Sequence, residues 1–216
     1  MTTIVGRNCK VEVALTLAAT AAPSAITKAY PPVVTKTTHG LSDGAVGFFT
    51  IPSGMIELDA QAFMVANKST DTFEVAGLDS TDFSTFAAGA SVVYTMAATW
   101  GTISEAAGYS IGGGAADQLD DTRLVDTKRR NVAGLLPAQD VTIDVKNQLV
   151  SGTAMQFIER KAQTGGYVLM KITQAGTVVR VFYGSPSLPG ESASSGQLAS
   201  GQFSVTVPQF ALKPNV

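Results

Sequence analysis

Between residues 9 and 17 the side chains alternate. Cys9, Val11, Val13, Leu15 and Leu17 stand against Lys10, Glu12 and Thr16. A period of two marks a half-buried strand, because successive side chains of extended backbone point to opposite faces. Similar short runs follow at 33–37, 46–51, 62–66, 72–75 and 91–96, and again at 141–145, 167–173, 177–183 and 203–207. Turn residues punctuate them: Asp43-Gly44, Ser53-Gly54 and Ala175-Gly176. Gln174-Ala175-Gly176, between two β-rich runs, is expected to be a tight hairpin. The chain is therefore expected to be mainly β.

One segment reads as helix. Ser151 is placed to cap it, Met155, Ile158 and Ala162 form one stripe with Phe157 beside it, and Glu159, Arg160 and Lys161 point away. Gly165-Gly166 supplies the positive-φ residue that commonly ends a helix. Such a helix should lie across one face of the sheet. Two stretches read as neither helix nor strand. Residues 101–140 contain Gly112-Gly113-Gly114 and then a charged run, a connection long enough to suggest function. Residues 185–201, rich in Ser, Gly and Pro, are expected to be a mobile loop. Composition divides the chain further. Residues 25–96 form a self-contained series of strands and turns, expected to be a small β-domain inserted into a larger one made of 1–24 and 97–216.

Charge and residue counts narrow the function. Only 15% of the 216 residues are charged, below the usual quarter, and the net charge is −2. A low-charge surface suits a protein largely covered by other subunits, and is compatible with an ordinary β-domain as well. Beyond Lys128-Arg129-Arg130 no basic stripe exists to grip a phosphate backbone. Cys9 is the single cysteine, so no intrachain disulfide forms. Residues Met1 to Arg7 lack the regions of a signal peptide, and no apolar run approaches the roughly 20 residues of a membrane span. Folding in a reducing cytoplasm is the expectation.

No motif supports catalysis, metal or cofactor binding. With His39 alone, a histidine triad or multi-histidine metal site is excluded, and turn packing is its expected role. Cys9 occupies an apolar strand position, where a buried, inert thiol is expected. Gly112-Gly113-Gly114 is not followed by the Gly-Lys-Ser/Thr of a phosphate loop. Asp117, Asp120, Asp121 and Asp126 lack the spacing of a calcium loop. Asp120, Asp121, Arg123, Asp126, Lys128, Arg129 and Arg130 alternate in sign instead. They are expected to make contacts between subunits, Asp121 with Arg123 and Asp126 with Lys128 to Arg130, that set register more than strength.

Two stretches resemble known families. Residues 25–46, with His39-Gly40-Leu41-Ser42-Asp43-Gly44, together with Phe73 to Thr81 and Phe83 to Gly89, resemble a small β-module of phage virion proteins. That module is similar to the first catalytic-cysteine half-domain fold of ubiquitin-activating enzymes, without their chemistry. The run Asp121 to Leu136, followed by Val141 to Val145, resembles the long loop and next strand of the tail-tube proteins of long-tailed, siphovirus-type bacteriophages. The element order around it is similar as well.

The resemblance implies a tail-tube β-sandwich or barrel with one α-helix. Six copies would join their sheets into a ring, and rings would stack into a tube, with the long loop and N-terminal residues bridging to the next ring. The protein would be a virion component assembled in the host cytoplasm. Genomic DNA and the tape-measure protein would occupy the bore without specific binding. A tail terminator and baseplate or distal tail proteins would meet its ends. The inserted module would face outward. Glu12, Thr142, Asp144 and Thr173 are candidates for a mixed or mildly acidic lumen, although Lys10, Lys146, Lys171 and Arg180 occur on the same strands. The alternative is a monomeric module of a tail fibre or baseplate that binds a host-surface glycan or receptor. It calls for a groove of exposed aromatics, and aromatics make up only 7% of this chain.

Overall fold

A computed structural model describes residues 9–89, 91–125, 127–135, 137–146, 152–174 and 177–214. The expectations for Met1 to Arg7, Asp126, Ser151 and the turn residues Ala175 and Gly176 lie outside the described residues. The fold is mainly β with one helix. Strand β1 (Cys9–Leu17) leads to β2 (Ala25–Ile26), β3 (Val33–Thr35), β4 (Val46–Thr50), β5 (Ala62–Ala66) and β6 (Thr72–Val75). Then come β7 (Val93–Thr102), β8 (Ala106–Ile111), β9 (Gln118–Asp120), β10 (Asn131–Ala133) and β11 (Gln139–Lys146). Helix α1 (Thr153–Thr164), β12 (Val168–Gln174), β13 (Thr177–Pro186) and β14 (Ser200–Val207) complete the chain.

Twelve strands make one sheet in the order β2-β3-β6-β5-β4-β7-β1-β12-β13-β14-β11-β8, while β9 and β10 pair as a separate ribbon. The sheet curls into a half-barrel. Its concave core takes alternate residues from both halves: Val11 and Val13 of β1, Met170 and Ile172 of β12, Ile143 and Val145 of β11, Phe203 and Val205 of β14. In β11 and β14 the alternation read from sequence corresponds to burial, whereas in β1 Glu12 and Ala14 are buried along with Val11 and Val13, and Leu17, expected on the covered face, is exposed. Helix α1 adds Ala154, Met155 and Ile158 to this core. Gly165 ends it in the left-handed conformation at φ 65°, as expected. At its start Gly152 is the capping residue, and its backbone N–H donates to Glu105 Oε1 at 3.1 Å.

A second core gathers Phe49, Phe63, Phe73 and Tyr94, with Phe63 stacked 4.3 Å from Phe49. It belongs mostly to β2–β6 and the first half of β7, but Leu169, Val181 and Leu212 enter it from the rest of the chain. His39 is part of a turn here. The Leu41 N–H donates to its Nδ1 at 3.0 Å, leaving Nε2 to donate to the Thr72 carbonyl at 3.1 Å. Its ring meets Phe73 edge-on at 5.3 Å.

Two sequence expectations need correction. Residues 101–140 are not structureless. Strand β7 runs to Thr102, β8 pairs with β11 through Ile111↔Val141 and Tyr109↔Ile143, and β9 pairs with β10. Four of the six residues of Ala106–Ile111 are Ala, Gly or Ser, too little apolar contrast for a period to show beside Tyr109 and Ile111, and pairing with β11 makes the strand. Residues 187–192 are likewise not a free loop. Ser187, Gly190 and Ser192 donate backbone N–H groups to Ser204, Gln202 and Ser200 at 2.8, 2.9 and 2.8 Å, so the segment lies along β14.

The two halves of the sheet join where Ser185 and Pro186 of β13 pair with Thr206 and Val205 of β14. Gly184 precedes this junction, and a Cβ there would collide with the Thr206 carbonyl and lie 3.0 Å from Val205 Cγ1. Gly184→Ala is expected to destabilise the fold by about 1–3 kcal/mol, the usual range for overpacking. Urea denaturation checks this. An unchanged midpoint would mean the junction relaxes freely.

Candidate assembly surfaces

The charged run predicted to touch other subunits forms an arm. Between the end of β8 and the start of β11 the chain leaves the sheet and doubles back, pairing Asp120 with Asn131, Leu119 with Val132 and Gln118 with Ala133. This pairing sets the charges opposite one another. Arg129 Nε lies 4.0 Å from Asp120 Oδ2, and Arg130 Nε 3.5 Å from Asp121 Oδ2. The Asp121 N–H donates to the Arg130 carbonyl at 2.8 Å, and the Arg130 N–H to Thr122 Oγ1 at 3.0 Å. Hydrogen bonds from Thr122 hold the Asp120 carboxyl below its ordinary pKa. Asp120 and Asp121 thus have partners within one copy, nine residues along the chain. These solvent-exposed pairs contribute only about 0–1 kcal/mol each and hold the arm's shape. Arg123 and Lys128 lie at the exposed tip.

Besides its charges the arm carries apolar residues that the charge pattern does not reveal. Leu119, Leu124, Val125, Val132 and Leu135 are all exposed, Leu124 completely. The available signal was the pair Leu124-Val125 and the lone Leu135 in a stretch with no strand or helix period to bury them. An apolar row on a ribbon two strands wide has no core of its own to enter.

The candidate lumen residues do not come together in one copy. Glu12 and Thr173 lie on β1 and β12, where Lys10 faces Thr173 and Glu12 faces Lys171. Thr142 and Asp144 lie on β11, opposite Ser204 and Gln202 of β14. Both pairs point away from the concave core, but from different halves of the sheet. Glu12 is buried, taking Lys10 Nζ at 2.7 Å and Lys171 Nζ at 3.4 Å, and Lys171 Nζ lies 4.2 Å over the Trp100 ring. It is a compensated internal charge rather than a free surface one. Thr142 and Asp144 remain accessible.

Among the described residues no group of three or more His, Cys, Asp or Glu is placed to hold a metal ion, and no helix is long and apolar enough to cross a membrane. Cys9 is half-buried, and burial pushes its thiol pKa up.

Lys171→Ala removes the better buried partner of Glu12 and the cation over Trp100. The expected cost is about 2–3 kcal/mol, below that of a fully buried pair because Lys10 still reaches Glu12. Lys10 is half exposed, and Lys10→Ala should cost about 0–1 kcal/mol. Equal losses in chemical denaturation would contradict this ranking.

No curated protein matches the chain. Residues 53–175 match the family model described as "Phage tail tube protein, TTP". The matched stretch begins inside the segment 25–96 and runs through the arm and α1 to the end of β12. It covers more than half of the sequence, and the chain belongs to the phage tail tube protein family.

Proposed function

We propose that this chain forms hexameric rings that stack into the tail tube of a siphovirus-type phage, the conduit for DNA from capsid to host. The observation that carries this reading, beside family membership, is the open end of the sheet. Among the described residues strand β8 pairs with β11 alone, on one side. Ala106–Ile111 contains no charge and no proline, the devices that normally protect an edge strand. Closing the sheet against further copies satisfies that row of backbone donors and acceptors. A ring interface joins different surfaces of identical chains, and stacking repeats that principle along the tail.

The arm residues Asp120, Asp121, Arg123, Asp126, Lys128, Arg129 and Arg130 then face neighbouring copies. The segment 25–96 lies on the outside as an inserted module. DNA and the tape-measure protein pass through the bore without specific binding, and the terminator and baseplate or distal tail proteins close its ends. Of the lumen candidates, Thr142 and Asp144 fit best. They lie with Ser204, Gln202 and Lys146 on a polar face of near-balanced charge that does not grip phosphates. The protein's role is structural and needs no catalysis or cofactor.

Purified protein is expected to give hollow tubes in negative-stain microscopy and a monomer-to-polymer shift in gel filtration. Persistent monomers at high concentration, even with tail-initiation components added, would favour a monomeric host-surface module instead. A peptide tag inserted in the turn 68–71 should leave tube formation intact and decorate the outer wall. A tag density inside the bore would reverse the assignment of the module. A cryo-EM map with Lys or Arg rings lining the bore would overturn the lumen assignment.

A further inference from the structure

Units joined only by chain crossings move relative to one another unless a sizeable apolar interface fixes them. Segment 25–96 has more than its two crossings. After β14, residues 209–212 lie against it from outside. Gln209 Nε2 donates to the Asp59 carbonyl at 3.1 Å, and the Phe210 carbonyl accepts from Gln61 Nε2 at 3.2 Å. Gln61 has no exposed surface, and its Nε2 also donates to the Ala62 carbonyl at 2.8 Å. Leu212 exchanges backbone hydrogen bonds with Val181 of β13, at 2.9 and 3.0 Å, and its side chain enters the core that holds Phe49, Phe63 and Phe73. Ala211 serves the other half. Its N–H donates to Gln139 Oε1 at 2.7 Å, and its side chain packs against the core of β11 and β14.

Successive side chains of extended backbone point to opposite sides, so Ala211 and Leu212 reach different cores although they are neighbours in the chain. The stretch crosses the boundary between segment 25–96 and the rest of the sheet. What it holds within the segment is central to it. Asp59 and Gln61 lie between Leu58 and β5, and both also serve the neighbourhood of β4. The Phe49 N–H donates to the Gln61 carbonyl at 3.0 Å, and the Ile51 N–H donates to Asp59 Oδ1 at 2.8 Å. Strand β13 adds a further tie, since Tyr183 stacks on Phe48 of β4 at 3.9 Å. Lifting the stretch away would take a hydrogen bond from the buried Gln61 amide and leave a leucine-sized gap beside Val181.

We propose that residues 209–212 form a strap that fixes segment 25–96 rigidly to the rest of the subunit. The segment then opens only together with the strap, and in a tube it follows the symmetry of the wall. It is a fixed outer part of each subunit, not an appendage that swings to search a surface. The strap itself stands on contacts within one chain, while its consequence for the tube rests on the self-assembly reading above.

Hydrogen–deuterium exchange of the whole chain as a monomer, read by mass spectrometry, tests the strap. Leu212→Ala is expected to speed exchange of the amides in 46–66 by about tenfold or more, the scale of losing one buried aliphatic side chain. None of those amides is near residue 212 in sequence. Lys213→Ala, at the exposed position next to it, should leave them unchanged. Coupling is reciprocal, so Phe63→Leu within the segment should in turn speed exchange at Val181 and Leu212. Unchanged exchange in 46–66 with Leu212→Ala, or equal speeding by Lys213→Ala, would overturn the strap. If Leu212→Ala yields no folded protein, Leu212→Val and Gln209→Ala carry the same comparison with smaller shifts. In tubes, helical reconstruction should show the segment as sharply as the wall, and density blurred only there would overturn its rigid attachment. Failure to form tubes would defeat the tube reading alone, because exchange in the monomer still decides the strap.

Discussion

The short contact between β13 and β14 is the constraint on which the rest of the subunit depends. Among the described residues, Ser185 and Pro186 alone bridge the two halves of the sheet there, with Thr206 and Val205 opposite. Strand β13 runs beside β12 for most of its length, then crosses to the other half at its end. That crossover lets the sheet curl, bringing Val and Ile side chains of β1, β12, β11 and β14 into one core. A glycine stands at the crossing because the two backbones approach too closely for a side chain. Proline is tolerated beside it at the very end of the strand, where it interrupts little of the ladder.

Curling resolves the interior and leaves the boundary unresolved. Strand β8 keeps an open edge, and the arm between β8 and β11 carries apolar residues outward. In an isolated monomer both features invite aggregation. Under the proposed assembly, the same features are surfaces for further copies to cover. The sparse charge of the chain, 15% of residues, fits that role, because surface to be covered by another copy gains little from ionised groups. Where charge does enter the subunit it is compensated. Glu12 sits between Lys10 and Lys171, and the arm's aspartates face its arginines.

Much of the scaffold was legible from residues alone. Ala62–Ala66 and Thr72–Val75 coincide with the expected runs, and α1 ends at the glycine that its sequence marks. Strand β8 was not legible, since Ala, Gly and Ser neither declare a face nor break a pattern. The segment 187–192 was misjudged for a related reason. Its Ser and Gly composition suits a loop, but its backbone groups are satisfied by β14. The arm is marked in the sequence by its charge pattern, while its apolar tip has no periodicity to reveal it.

By itself the sequence determined a mainly β chain with one helix, a single histidine and a single cysteine, and no motif for chemistry on a substrate. Those properties are local or are counts, and need no knowledge of what lies across the fold. Only the tertiary structure decided which side of each strand is covered. Alternation is symmetric between faces, so Glu12 reads as a surface position until Lys171 and Trp100 are seen to enclose it. Tertiary structure also decided that the arm's charges pair with each other, and that β8 stands at the edge of the sheet. Both depend on register between strands many residues apart, which long-range packing sets and local composition does not encode.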